Sequence, residues 1–452
     1  MAAPLSRHTL AEWKTLTALG GPILVTQLSQ MGNGVIDTMM AGHYGAIDLA
    51  GVAIANSFWM PAFLFFLGIL SALQPVISGH RGAQQFGRVT PTLWQGLYIA
   101  AACSVLMIAL LLNVAPVLEW LALDPATAAI TQGYLDGFVW GVPAMMLIVT
   151  LRGLTDGMGH TRVMMGVSLL SNAINLPLNY VFIYGKLGVP AMGGVGCGWA
   201  TSGANWIACL ALLAYLRHSR DFSRYALLAS RAAPHWHEIR ALLRLGIPIG
   251  LTMFFEVSMF TVIALFLAPL GPVVVAGHQL VLNAVSLLFM VPLSLGMALT
   301  LRVSFLIGAG EPQRAQQLAH STLLLALCIA AVNVPLLLFG RESIAALYTG
   351  DAAVQQVAVQ LLQLAAVFQL ADVLQVTAIS ALRGYRDTRV PMLVILLSFW
   401  GIGMPLGYLL TFTDHIVPML GAAGFWIALI ASIAMVCVLL LWRLFRYQPS
   451  KA

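Results

Sequence analysis

Apolar stretches as long as a lipid bilayer is thick recur along the whole chain, and that recurrence leaves few folds open. They lie at 16–42, 48–78, 91–118, 127–152, 161–185, 193–216, 243–268, 273–305, 316–339, 353–382, 388–412 and 420–442. A hydrocarbon core about 30 Å thick is crossed by about 20 helical residues, so each run is long enough to span. None shows the short apolar–polar alternation of an outer-membrane barrel strand. With 60% hydrophobic and 8% charged residues among 452, the chain has too little polar surface to clothe a soluble globule of its size. These features predict an all-α polytopic membrane protein with twelve transmembrane helices.

In this layout every Lys and Arg except Lys186 and Arg341 falls in the N-terminal tail, the even-numbered loops or the C-terminal tail. Positive loops stay on the cytoplasmic side, which places both termini there. The first run is too long for the core of a cleaved signal peptide and is expected to be retained. Loop topology accounts for the net charge of +6, so no nucleic-acid partner is needed. The five cysteines, Cys103, Cys197, Cys209, Cys328 and Cys437, sit inside spans at unrelated spacings, as helix-packing thiols do.

The chain repeats itself. Leu19-Gly20-Gly21-Pro22-Ile23 opens the first half and Leu245-Gly246-Ile247-Pro248-Ile249 the second, 226 residues later. The same shift lays Ala50-Gly51 on Ala276-Gly277, Gly82-Ala83 on Gly308-Ala309, and Arg88 on Arg314. Leu151-Arg152-Gly153 recurs as Leu382-Arg383-Gly384, and Thr161-Arg162-Val163 as Thr388-Arg389-Val390. Two pseudo-symmetric six-helix lobes follow, related by an axis along the membrane normal because six is even. Residues 1–216 are expected to form the N-terminal lobe and 244–452 the C-terminal lobe. Between them, 217–243 reads as a basic cytoplasmic linker carrying Arg217, Arg220, Arg224, Arg231 and Arg240 against anionic lipid.

Only three acids stand clearly inside spans: Asp37 in helix 1, Glu256 in helix 7 and Asp372 in helix 10. An acid at mid-bilayer costs about 2.5–3.5 kcal/mol even on the lenient insertion scale, which makes each a functional candidate. At 1.5 Å per residue Glu256 and Asp372 lie about 18 and 15 Å from the cytoplasmic ends of their helices, so they can meet near the midplane if those helices are neighbours. Two carboxylates that close share a proton or hold a cation such as Na+ between them. Their counterparts in the first half are Gln30 and Gly141, so the acid pair is private to the second. Asp37 instead lies nearly two turns beyond Gln30, and Asn175 and Asn179, one turn apart on helix 5 and flanking Pro177, lie at a comparable depth. A carboxylate with two amides suits hydrogen bonding to a substrate or a proton; helix-to-helix hydrogen bonding is the structural alternative. Asp136, near the outer end of helix 4, and His278 in helix 8 are weaker candidates. Met31, Met39, Met40, Met253 and Met259 surround the acids on helices 1 and 7, in keeping with an adaptable apolar cavity or with plain packing.

No GxxxxGK[ST], HExxH, CxxC or nucleophile elbow is present, so neither ATP drive nor enzymatic chemistry is expected. A lipid or polysaccharide flippase of the same general build would add helices or line a cavity with basic residues. A major-facilitator transporter would place an acid before the basic cluster of its loop 2–3, where Gly79 to Arg88 has none.

The segments QLSQMGNGVIDTMMAG (Gln27 to Gly42), FFEVSMF around Glu256 and FQLADVLQVTAISALRGYRDTRVPM around Asp372 closely resemble the NorM branch of the multidrug and toxic compound extrusion (MATE) family. The resemblance covers essentially the whole chain. It implies a secondary antiporter that exports cationic, amphipathic drugs against an inward flow of Na+ or H+, with no cofactor besides that ion, functioning as a monomer. It further implies a cation site at Glu256 and Asp372 and an N-terminal-lobe cavity tied to protons or substrate at Asp37, Asn175 and Asn179; Gln30, on the same helix as Asp37, is a further candidate for that site. Some Na+-linked members carry a tyrosine one turn before the helix-10 acid. That place is Phe368 here, which removes one hard oxygen and leaves the coupling ion open.

Overall fold

The computed structural model describes residues 7–120, 123–223, 231–414 and 418–447. Within them lie twelve long helices: α1 (Arg7–Tyr44), α2 (Ala46–Gly82), α3 (Phe86–Trp120), α4 (Pro125–Gly157), α5 (Thr161–Tyr184), α6 (Gly194–His218), α7 (Trp236–Leu270), α8 (Pro272–Gly308), α9 (Pro312–Tyr348), α10 (Ala352–Gly384), α11 (Arg389–Phe412) and α12 (Ala422–Arg446). Eleven are long and apolar enough to cross a membrane unaided. The exception is α1, which is unbroken but carries Gln27, Ser29, Gln30, Asn33 and Asp37 along its C-terminal half. Thr26, Ser29 and Asp37 of that helix are buried in protein, while Gln30 is exposed. The chain is a multi-pass membrane protein.

The repeat is visible in the backbone. Gly193 and Gly421 cap the starts of α6 and α12 with nearly identical dihedrals, φ 56°, ψ −137° and φ 57°, ψ −138°, a region open to glycine and strained for other residues. Gly51 packs on Ile130, and its counterpart Gly277 packs on Val357. In both halves a glycine lets the second helix of the repeat close on the fourth.

The chain divides into two compact units, Pro22–Gly250 and Leu251–Ala452, the latter taking in the residues up to Gly21. These boundaries differ from breaks at 216 and 244, because the exchange happens inside continuous helices. The leading turns of α1 belong to the second unit: Glu12 is bonded to Arg302 and Arg314, and the Trp13 indole donates to Ser321 Oγ at 3.3 Å. The leading turns of α7 belong to the first, where Gly246 and Gly250 lie flush on the backbone carbonyls of Ile69 and Phe65.

The expected linker is shorter than 217–243. Arg217 still lies in α6, residues 236–243 already lie in α7, and part of the basic stretch, including Arg224, falls outside the described residues. What precedes α7 is fastened to α3: the buried Gln95 donates to Ala233 O at 3.0 Å and accepts from His235 N at 2.9 Å. Tyr98 Oη donates to Ala232 O at 2.8 Å. Phe222, fully buried, sits edge-on to the His160 ring. All five cysteines are free thiols, four of them buried.

Candidate functional site

In the first unit α6 supplies what the sequence reading lacked. Gly198 rests directly on the Tyr134 carbonyl of α4, a contact that a Cβ would forbid, and this approach carries Thr201 to the side of Asp37. Asp37 Oδ1 accepts from Asn179 Nδ2 at 2.6 Å and Oδ2 accepts from the Thr201 hydroxyl at 3.2 Å. Asn179 Nδ2 also donates to Asn175 Oδ1 at 2.8 Å, and Asn175 Nδ2 donates to Thr201 Oγ1 at 3.3 Å. Four polar side chains on α1, α5 and α6 thus close one buried ring of hydrogen bonds. The carboxylate is held by neutral donors, and no ion pair to it occurs among the described residues.

Asp37, Asn175 and Asn179 therefore come together as expected, and Gln30 does not. Gln30 is exposed and shares no hydrogen bond with the ring. Seven residues fall only about 20° short of two turns, so what separates Gln30 from the ring is the distance of about 10 Å along the helix axis and not rotation about it. Asp136 is also exposed and separate, accepting from Gln132 Nε2 at 2.9 Å, one turn back on its own helix.

A different arrangement occupies the second unit. Glu256 Oε1 accepts from Gln375 Nε2 at 3.0 Å. Asp372, one turn before Gln375 on α10, lies within electrostatic reach of Glu256 yet is not hydrogen-bonded to it, and the Arg383 charge also acts on Glu256. The two acids are near one another, and the Gln375 amide is bonded to Glu256. Beside Glu256, α11 widens into a π-helical segment, Leu396–Gly403, and Trp400 Nε1 donates to the Phe255 carbonyl at 3.1 Å. Such widened turns gather at functional sites because they turn side chains out of the regular register.

Phe368 is buried edge-on against Phe260 and Trp426, with ring centres 6.3 and 6.1 Å away. His278 is fully buried, and its Nδ1 accepts from Trp426 Nε1 at 3.2 Å. That bond makes His278 a packing partner of the aromatic column, not a member of the acid pair. The methionines divide: Met259 is core and Met39 is 57% exposed. Among the described residues no three His, Cys, Asp or Glu side chains converge as a metal cluster, so any ion at Glu256 and Asp372 needs amide or water oxygens as well.

Thr201 and Gln375 were missed from sequence. Threonine is common in membrane helices, where it bonds to its own backbone, so Thr201 carried no signal. Gln375 did carry one, as an amide three residues after an in-span acid.

The MatE family model matches residues 22–181 and 248–409, one block in each half of the repeat. The chain belongs to the MatE family. A probable multidrug resistance protein NorM from Shewanella oneidensis is 41% identical over 445 residues, covering 98% of this chain and 97% of that relative. The multidrug resistance protein MdtK of Yersinia pseudotuberculosis is 40% identical, with the same coverage of both chains. Among solved structures, the eukaryotic MATE transporter AtDTX14 aligns with a TM-score of 0.88 at 21% identity, covering 98% of each chain. The Vibrio cholerae MATE transporter VcmN in its bent form aligns at 0.85 and 18%, again over 98% of each. The resemblance to the NorM branch thus holds over the full length. MatE members are transporters, and the lack of enzymatic motifs agrees with that.

Proposed function

We propose that this MatE protein is a secondary antiporter of a bacterial inner membrane, with cytoplasmic termini, that exports cationic amphipathic compounds in exchange for Na+ or H+. The observation that carries the proposal is the state of Asp372: an acid inside a membrane helix, close to a second acid, with no hydrogen-bonded donor among the described residues. A carboxylate kept there at a standing cost is poised to take up a positive charge. The multidrug resistance names of the NorM and MdtK relatives support the choice of substrate class.

In this mechanism a cation from outside enters at Glu256 and Asp372, or a proton reaches one of them or Asp37. Neutralisation weakens the hold on a cationic substrate and favours the arrangement that releases it. One charge moving inward down 100 mV supplies about 2.3 kcal/mol, enough for tens-fold accumulation before any ion gradient is counted. The test is drug efflux from proteoliposomes under an imposed Na+ gradient and, separately, an imposed pH gradient. Asp372→Asn should insert and fold yet lose ion-driven efflux; wild-type efflux by that variant removes Asp372 from the mechanism.

A further inference from the structure

The second unit buries amides that nothing in the protein satisfies. Gln369 is fully buried, and both its Nε2 and its Oε1 lack a hydrogen-bond partner; Asn333, 5% exposed, has an unpartnered Nδ2. A buried amide with neither end bonded costs several kcal/mol in a dry interior, and exchanging the oxygen and nitrogen of Gln369 relieves nothing because both ends are orphaned.

These amides are not scattered. Gln369 lies three residues before Asp372, so the two are neighbours on α10, and Gln375, three residues beyond Asp372, bonds Glu256. On α9, Ala330 packs with Val373 of α10 in one small core. The two helices run antiparallel through a short connection. One turn from Ala330 to Asn333 and one turn from Val373 to Gln369 therefore lead the same way along that contact. Both orphaned amides therefore stand within about one turn of the level of Asp372 along α10.

The repeat shows that the fold does not need them. The first-half counterparts of Asn333, Gln369 and Asp372 are Met107, Phe138 and Gly141, and Met107 and Phe138 are members of a sealed apolar core. The same helix pairs close there with apolar side chains, so the amides were placed in the second half for something other than packing.

We propose that Gln369 is a ligand of the cation site, its Oε1 coordinating a Na+ ion held by Asp372 and Glu256, with Asn333 as a positioning residue whose amide donates to a water in the ion's shell. This rests on the reading of Glu256 and Asp372 as the cation site. Sodium takes several oxygens at once, whereas a proton needs one carboxylate oxygen. The Gln369 carbonyl supplies a hard oxygen on the turn where Phe368 offers none. Because the amide is neutral, it acts on Na+ through coordination and leaves the charge of the site, and so its capacity for a proton, unchanged.

The test is 22Na+ binding to the purified full-length protein in detergent at fixed pH, alongside melting temperature in NaCl and in choline chloride. Gln369→Leu should weaken Na+ affinity tenfold or more, a factor of about ten to a hundred being what one bond to a charged group is worth. Its melting temperature in choline chloride should equal or exceed wild type, because an orphaned amide is removed, while the Na+-dependent rise in melting temperature disappears. Asn333→Leu should give a smaller loss of the same kind. Unchanged Na+ affinity in Gln369→Leu overturns the assignment, and so does a wild-type protein that binds no Na+ saturably. Failure of drug efflux in wild-type proteoliposomes would instead sink the antiport reading and leave the affinity comparison standing.

Discussion

Glu12 offers the sharpest quantitative handle on how this chain is held together. It sits in the leading turns of α1, 8% exposed, and receives Arg302 Nε at 2.7 Å, Arg302 Nη2 at 2.8 Å and Arg314 Nη2 at 2.8 Å; Glu311 also bonds Arg314. The Arg302 fork is planar, two-pronged and partly sheltered, which places it at about 1.5–3 kcal/mol; Arg314 is half exposed and adds about 0–1 kcal/mol. Glu12→Gln keeps the shape but turns one acceptor into a donor facing a guanidinium, so the loss should be about 2 kcal/mol. The rest of α1 is buried in the other unit, so the penalty appears as local opening of the leading turns and not as global unfolding. Amide exchange read by mass spectrometry over residues 9–20 should accelerate about 30-fold, with α3 to α5 unchanged. Burial alone would raise the Glu12 carboxyl, but Arg302 and Arg314 outweigh it and hold it below the ordinary value of 4.5. A lowered folded pKa means the contribution is fully present above 4.5 and disappears as pH falls through the lower folded value. Corrected exchange in wild type should therefore stay flat from neutral pH down to about 4.5 and rise only below it, and Glu12→Gln should lack that acid limb. Protection within twofold of wild type at neutral pH, or a loss spread evenly over both units, would refute the assignment.

Other outcomes follow from particular contacts. Gln375→Leu removes the donor to Glu256 Oε1 and should cut ion-driven efflux about tenfold or more while the protein still inserts, checked in the proteoliposome assay. Gly198→Ala sets a methyl against the Tyr134 carbonyl and should cost about 1–3 kcal/mol, read as a lower melting temperature and poorer yield. Gln95→Leu should release residues 231–235 from α3, exposing them to limited proteolysis while the helices on either side remain protected.

The fold was legible because bilayer thickness sets run length and because the repeat leaves its glycines and prolines in register. The Asp37 ring was legible in part: Asp37, Asn175 and Asn179 are rare polar groups at compatible depth, and depth is what a sequence reports well. What a neighbouring helix brings alongside is reported poorly. Gln30 lies within about 20° of Asp37 around α1 but about 10 Å along it, beyond the ring, and Thr201 joins from a helix whose small residues gave no sign of which acid they would approach. The unit boundary at Pro22 was hidden for another reason. The basic stretch after Arg217 looks like the only joint, whereas the actual exchange depends on one acid, Glu12, finding arginines about 290 and 302 residues away. Only its being an acid amid basic neighbours hinted at a buried partner.

The two halves hold negative charge in opposite ways, and this difference makes a last test possible. Asp37 is fully furnished: one oxygen takes Asn179 at 2.6 Å, the other Thr201 at 3.2 Å, and the donors are themselves tied to Asn175. Asp372 has an acid neighbour and orphaned amides. A carboxylate in a closed ring of donors can be replaced by an amide at small structural cost only if one donor can reverse its role, and a hydroxyl can, because it both gives and accepts. In Asp37→Asn the new carbonyl can keep Asn179 while the new amide group donates to Thr201 Oγ1. In Thr201→Val the carboxylate keeps Asn179 and loses its second donor, at about 1–2 kcal/mol. The double variant leaves an amide group facing a methyl, with no acceptor to turn to. Melting of the four proteins should therefore be non-additive: Asp37→Asn near wild type, Thr201→Val lower by a few degrees, and the pair lower than the sum by an interaction of about 0.5–3 kcal/mol. Simple additivity would mean that Thr201 and Asp37 do not act on one another, and the ring around Asp37 would have to be redrawn.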